Sequence, residues 1–180
     1  WLIKEINSKL VIFHDSLLPK YRGFNPLVSY LINGEMIIGA TALFANRQFD
    51  RGDIISQAST QIEYPIKIYD AFELVSKNYC ELIDHIMGQI LISKELEAKP
   101  QNDNDATYSL WRDSEDYKIN WNRSSVEIKR FIDAVGYPYQ GAVSVVEGRS
   151  IRIMDADVYQ DVVIENRDIG KIIFLEDNCP

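Results

Sequence analysis

His14 and Asp50 are the side chains of this sequence best suited to chemistry. His14 follows the apolar run Leu10-Val11-Ile12-Phe13 and opens the string His14-Asp15-Ser16-Leu17-Leu18-Pro19-Lys20-Tyr21-Arg22-Gly23. Asp50 sits in the polar stretch Phe49-Asp50-Arg51-Gly52-Asp53, about one strand-helix-strand unit later. Imidazole is the side chain whose ordinary titration lies closest to neutral pH, and a carboxylate beside it can orient the ring and stabilise its protonated form. The pair could therefore move a proton to or from a reacting group. Taken singly, each residue is more often structural, because turns are rich in Asp and a His at a strand end often only satisfies a buried carbonyl.

The elements that must position this pair are readable from periodicity. Leu10 to Phe13 has the form of a short buried parallel strand that ends at a polar cluster. Pro26 opens a helix in which Leu27, Val28, Leu31 and Ile32 recur at helical spacing, and Asn33-Gly34 closes it. Gly39 to Ala45 predicts a second strand, and the Phe49 to Asp53 turn leads into a third at Ile54-Ile55. From Ile68, the apolar positions Phe72, Val75, Tyr79, Leu82, Ile83, Ile86 and Ile90 follow helical spacing over about six turns, predicting a long helix that covers the sheet. Residues 99–107 hold Pro100, two Asn and two Asp and have the composition of a linker, so the predicted units are 1–98 and 108–180. In the second unit, Ser124 with Glu127 has the form of a capping box ahead of a helix that stops at Gly136. A hairpin follows, Ala142 to Val146 and Ser150 to Met154 about the turn Glu147-Gly148, with further strands expected at Val162–Ile164 and Lys171–Leu175.

The ordered string His-x-Ser-Leu-Leu-Pro-x-x-Arg-Gly, followed downstream by Asp-x-Gly-Asp, resembles the formyl-tetrahydrofolate-dependent formyltransferases, whose acceptors are glycinamide ribonucleotide, methionyl-tRNA or amino sugars. The likeness extends to Ala106-Thr107-Tyr108, Ile119-Asn120-Trp121 and Gly136-Tyr137-Pro138-Tyr139-Gln140-Gly141-Ala142, which are similar to the start of the C-terminal domain in the tRNA and sugar branches. It implies an α/β fold: the C-terminal half of a Rossmann-like formyltransferase domain, then a small α+β, OB-like domain. It also implies formyl-tetrahydrofolate as donor, with a primary amine attacking the formyl carbon. On this resemblance His14 is the acid/base or oxyanion partner and Asp50 orients and charge-stabilises it. Leu17, Leu18 and Pro19, with Ala45, Asn46 and Phe49, would hold the folate, and Ser16, Arg22 and Gly23 the substrate. The family normally carries an Asn two residues before the His as an amide donor to the formyl oxygen, and this chain has Ile12 there. An isoleucine donates no hydrogen bond, and loss of one oxyanion donor costs on the order of a hundredfold in rate. Family members have a further Rossmann-like half ahead of this region. By this resemblance Trp1-Leu2-Ile3 is its remnant, and the chain holds one wall of the folate site.

Composition narrows the class. With 46% hydrophobic and 11% aromatic residues the chain is far from the composition of disordered proteins. Its two cysteines, Cys80 and Cys179, show no metal-knuckle or disulfide spacing, which implies a reducing compartment and no metal. No run of about 18 apolar residues and no leader pattern occurs, so a cytoplasmic protein without a membrane span is expected. The formal net charge is -8, and residues 101–180 carry nine basic against fifteen acidic side chains, a net of -6. A surface that tracks phosphates must be basic, so nucleic acid is disfavoured and a nucleotide-linked amino sugar is the expected acceptor. Ser109-Leu110-Trp111-Arg112-Asp113 also looks more like the sugar branch. Methionyl-tRNA is the alternative acceptor, and a non-catalytic relative, given Ile12, the alternative class. Exposed strand edges near the C-terminus suggest a homodimer.

Overall fold

The computed structural model describes residues 9–93 and 95–175. The readings placed on Trp1 to Ile3 and on Cys179 fall outside them. Strand β1 (Val11–His14) and a two-residue strand β2 (Arg22–Gly23) flank the His14 string; helix α1 (Pro26–Asn33) follows, then β3 (Ile37–Phe44), β4 (Ile54–Gln61) and the long helix α2 (Ile68–Ser93). After a 3-10 turn at Asp103–Asp105 come β5 (Tyr108–Ser109), a second 3-10 turn at Ser114–Tyr117, helix α3 (Ser125–Val135) and strands β6 (Ala142–Val146) and β7 (Arg149–Ile153). The architecture is α/β.

The main sheet has the order β1-β3-β4, with both neighbours antiparallel, His14 opposite Thr41 and Phe13 opposite Ala42. The parallel strand expected at Leu10 to Phe13 is thus an antiparallel one. An apolar run reports burial and is blind to direction, and a strand paired with a partner of Ile, Ala and Leu reads the same either way. Strand β4 runs six residues beyond Ile54-Ile55, because Ser56, Ala58 and Thr60 alternate half-buried with exposed Gln57, Ser59 and Gln61.

Helix α1 starts on Pro26 at its first turn and stops where Gly34 takes φ 73°, returning its N–H to the carbonyls of Tyr30 and Leu31. Helix α2 packs along β4 and β3, burying Ala71, Val75, Leu82 and Ile86. Helix α3 has the predicted Ser124–Glu127 capping box and packs on α1. One hydrophobic cluster therefore takes in Leu27, Val28 and Leu31 of α1 together with Ile119, Ile132, Val135 and Ala142 from beyond residue 108. The β6–β7 hairpin closes through Glu147 (φ 49°) and Gly148 (φ 76°), the paired positive φ values of a type I′ turn. The strands expected at 162–164 and 171–175 do not form among the described residues: these segments have no ladder partner, and Val163 is almost fully exposed. Local β-propensity without a neighbouring strand does not make a sheet. No helix among the described residues is long and apolar enough to cross a membrane.

Candidate active site

The loop after β1 is held by side chains that reach it from three elements. Thr41 of β3, fully buried, donates its hydroxyl to the Ser16 carbonyl (2.6 Å) and accepts from the Leu18 N–H (3.1 Å) and from Gln57 Nε2 (2.8 Å), which uses its whole hydrogen-bonding capacity. Gln57 Nε2 also donates to the Leu18 carbonyl (2.8 Å). The Leu17 N–H donates to the Tyr30 hydroxyl (3.1 Å), a phenol that burial pushes up to about 12 and so keeps neutral. Ser16 is itself buried and closes the loop by donating Oγ to the Lys20 carbonyl (2.6 Å).

This scaffold turns the loop back on His14, whose Nε2 lies 2.9 Å from the Tyr21 carbonyl, with Tyr21 at φ 56°. A carbonyl only accepts, so Nε2 carries the proton of that bond and Nδ1 is the nitrogen left for chemistry. Nδ1 lies 3.6 Å from Asp50 Oδ1. The other carboxylate oxygen, Oδ2, accepts the Gly23 N–H at 2.8 Å. A proton taken up at Nδ1 therefore forms an imidazolium with both N–H groups satisfied, one by a carbonyl and one by a carboxylate. Gly23 takes φ 105° and packs so tightly that a Cβ there would stand 2.4 Å from the Ser109 carbonyl oxygen.

Asp50 takes a left-handed backbone conformation, φ 56°, which costs on the order of 1 kcal/mol or more in a residue other than glycine. Gln101 binds this turn from outside. Its Nε2 donates to the carbonyls of Asp50 and Gly52, both at 2.8 Å, while its Oε1 accepts from Arg22 Nε (3.1 Å) and Nη2 (2.8 Å). Arg22 is 1% exposed. Its Nη1 lies 2.7 Å from Asp103 Oδ1, close enough for an ion pair though not aligned for a hydrogen bond, and the guanidinium holds the Asp103 carboxyl below the usual carboxylate range. The segment that the sequence assigns to a linker thus lies across the site. Lys99 exchanges two backbone hydrogen bonds of 2.8 Å with Ile54, and Thr107 accepts from the N–H groups of Tyr21 and Arg22 (2.9 Å each).

Of the residues singled out from the sequence, the structure brings His14, Asp50 and Gly23 into one cluster, with Leu17, Leu18 and Pro19 in the loop pinned beside them. Ser16 and Arg22, expected to touch substrate, are buried and committed to Lys20, Gln101 and Asp103. Ala45, Asn46 and Phe49 lie in the turn that leads from β3 to Asp50, with Asn46 and Phe49 exposed. Sequence reasoning missed Gln101, Thr41 and Tyr30. Thr41 left a trace, as the one hydroxyl in the apolar stretch Ile37–Phe44, whereas Gln101 in its polar segment left none.

Asp15, the residue after β1, meets α2, where Tyr79 donates its hydroxyl to Asp15 Oδ1. Burial raises the Asp15 carboxyl, partly offset by the nearby His14. A raised folded value means that the folded chain holds this proton more tightly than the unfolded one, so Asp15 favours folding at low pH and the benefit is lost as pH rises through that value. Asp15→Asn keeps an acceptor for Tyr79 and buries no charge. It should raise the thermal midpoint by a few degrees at neutral pH, with the gap closing as pH falls into the carboxylate range, as unfolding scans at the two conditions would show.

Comparison with known proteins bears on the family of the chain. The family described as formyl transferase matches residues 1–72, and its C-terminal domain matches residues 112–178. A methionyl-tRNA formyltransferase of Alkaliphilus oremlandii is 30% identical over 166 residues, 92% of this chain and 52% of the relative. The chain spans about half the length of the curated relatives it matches. Among solved structures, HypX from Aquifex aeolicus in complex with tetrahydrofolic acid superposes with a TM-score of 0.74 at 20% identity, over 94% of this chain and 29% of that one, a likeness of fold. The N-formyltransferase from Helicobacter canadensis, in complex with folinic acid and dTDP-3-aminofucose, has a TM-score of 0.67 at 26% identity, over 77% of this chain and 51% of that one. With the N-terminal match, which contains His14 and Asp50, followed in order by the C-terminal one, the chain belongs to the formyltransferase family.

Proposed function

We propose that the chain carries the catalytic pair of an enzyme that transfers a formyl group from formyl-tetrahydrofolate to a primary amine, and that the amine belongs to a nucleotide-linked amino sugar. The observation that carries the transfer reading is the His14–Asp50 geometry: a ring fixed through Nε2, with Nδ1 free to exchange a proton 3.6 Å from a carboxylate. Attack of an amine on the formyl carbon forms the new C–N bond and leaves a proton in excess on the amine nitrogen. His14 Nδ1 takes that proton, Asp50 stabilises the imidazolium, and the same proton goes to the departing donor nitrogen as the old C–N bond breaks. The products are a formamide and the deformylated donor.

The donor supplies only the activated formyl group. Leu17, Leu18 and Pro19 on one side and Ala45, Asn46 and Phe49 on the other would hold it. The last of these is an apolar ring 88% exposed beside Asp50, the kind of surface a flat heterocycle covers. Ile12 shares a strand face with His14 by alternation, and it supplies no amide for the formyl oxygen.

The sugar acceptor rests on charge, above all the net of -6 over residues 101–180. The sequence relatives named for methionyl-tRNA favour tRNA as a second reading. The two separate by salt. A transfer RNA neutralises several phosphates on its protein, so its affinity should fall steeply with ionic strength, whereas a nucleotide sugar's two phosphates give a shallow slope. Measuring KM for each acceptor in the complete natural polypeptide from low to physiological salt should show transfer to the nucleotide sugar with the shallow slope. Transfer to methionyl-tRNA alone, with a steep one, would reverse the assignment.

A further inference from the structure

Resting on that reading, we propose that Gln101, backed by Arg22, is the positioning residue that holds Asp50 where its carboxylate can serve His14. A glutamine amide has two donors and two acceptor sites, and all four are used here: both N–H groups on the carbonyls either side of Arg51, both lone-pair directions on the Arg22 guanidinium. Arginine cannot accept and a carbonyl cannot donate, so the amide has one orientation. The buried guanidinium, with Asp103 against its far nitrogen, fixes the amide from behind.

The consequence falls on Asp50. Its left-handed backbone persists because groups outside the turn over-determine it, and Gln101 is the group that grips the Asp50 carbonyl itself. From that conformation one carboxylate oxygen faces His14 Nδ1 and the other takes the Gly23 N–H. Were the carbonyls of residues 50 and 52 released, Asp50 would relax toward ordinary φ and swing its carboxylate off the ring. Gln101 lies 51 residues beyond Asp50 in the chain, so the catalytic geometry depends on the segment after α2 being docked.

The test uses Gln101→Glu and Gln101→Met in the complete natural polypeptide. Glu keeps the acceptor for Arg22 but turns an oxygen toward two carbonyl oxygens; Met keeps the length and supplies no hydrogen bond. Each should lower kcat by about 10- to 100-fold and move the KM values of donor and amine by less than about threefold, since a displacement on the order of 1 Å in a catalytic group carries such a loss without touching binding. On an Asp50→Asn background neither should lower the rate further, because a residue acting through Asp50 has nothing left to position. A crystal structure of the Met variant should show Asp50 out of the left-handed region. Native kcat in both variants while Asp50→Asn is impaired, an additional loss on the Asp50→Asn background, or Asp50 unmoved in the crystal would overturn the proposal. Native activity of Asp50→Asn itself would instead remove the catalytic reading on which it rests.

Discussion

Replacing His14 by Ala should lower kcat/KM for formyl transfer by about 10²- to 10⁴-fold, the usual range for removing a general acid/base. Asp50→Asn should do comparable damage for a more specific reason. An asparagine at 50 can keep the Gly23 N–H on its amide oxygen, but it then turns an NH₂ group toward His14 Nδ1. That donor occupies the lone pair that must receive the amine's proton and removes the negative charge that stabilises the imidazolium. Since both substitutions disable one device, the double variant should be no slower than the worse single one within about twofold, in the manner of residues that act as a unit. Initial rates with formyl-tetrahydrofolate and saturating amine check this, and multiplicative losses would mean that the two residues act in separate steps.

Gly52→Ala should be the most disruptive of the glycine-to-alanine changes. A Cβ at Gly52 would stand 1.6 Å from the Phe44 carbonyl oxygen and 2.8 Å from its carbon, both backbone atoms that no rotamer change can move. The adjoining Asp53 carbonyl accepts the Phe44 N–H at 2.9 Å and the Gly52 carbonyl accepts from Gln101, so the turn cannot shift without breaking its own ties. Overpacking of this kind costs typically 1–3 kcal/mol, and the absence of any yielding side chain puts this case at or above about 3 kcal/mol. Asp50 is two residues away and moves with the turn, so kcat should drop by about 100-fold or more in whatever protein remains folded. Gly88 in α2 is the control, since a Cβ there would meet nothing within 4 Å. Alanine there relieves the entropic cost of a helical glycine, so Gly88→Ala should stabilise by about 0.5–1 kcal/mol and leave activity unchanged. Urea unfolding and initial rates on the two variants separate the effects; equal behaviour would contradict the packing drawn around Gly52.

The site and its scaffold were not equally legible in the sequence. His14 and Asp50 could be paired because the ordered string from His14 to Gly23 and the Asp-x-Gly-Asp downstream of it together resemble one family, and side-chain type is what such a resemblance reads. The helices could be bounded because Pro26, Gly34 and the Ser124–Glu127 box are local signals acting within one turn. Gln101 was hidden because two of its partners are main-chain carbonyls about 50 residues away, which have no residue type to recognise, and the third, Arg22, lies 79 residues before it. Its neighbours Pro100, Asn102 and Asp103 have the composition of a solvated linker, although Asp103 faces a buried arginine. Arg22 and Ser16 were expected at the substrate because the motif contains them; burial turns both inward, where they hold the loop shape that the motif encodes. The direction of β1 and the missing ladders at 162–164 and 171–175 share one cause: pairing is a property of two segments, and a propensity read along one of them does not reveal its neighbour.

His14 and Asp50 are proposed to move the proton together in transfer of a formyl group to an amine. The most direct measurement is a single-turnover reaction of the complete natural polypeptide with formyl-tetrahydrofolate and a panel of nucleotide-linked amino sugars, detecting the formamide by mass, alongside the Asp50→Asn variant. The native protein should form formamide on one of these acceptors, and the variant should lose at least about 100-fold in rate. Absence of formamide on any primary amine, or formation at the native rate with Asp50→Asn, would contradict it.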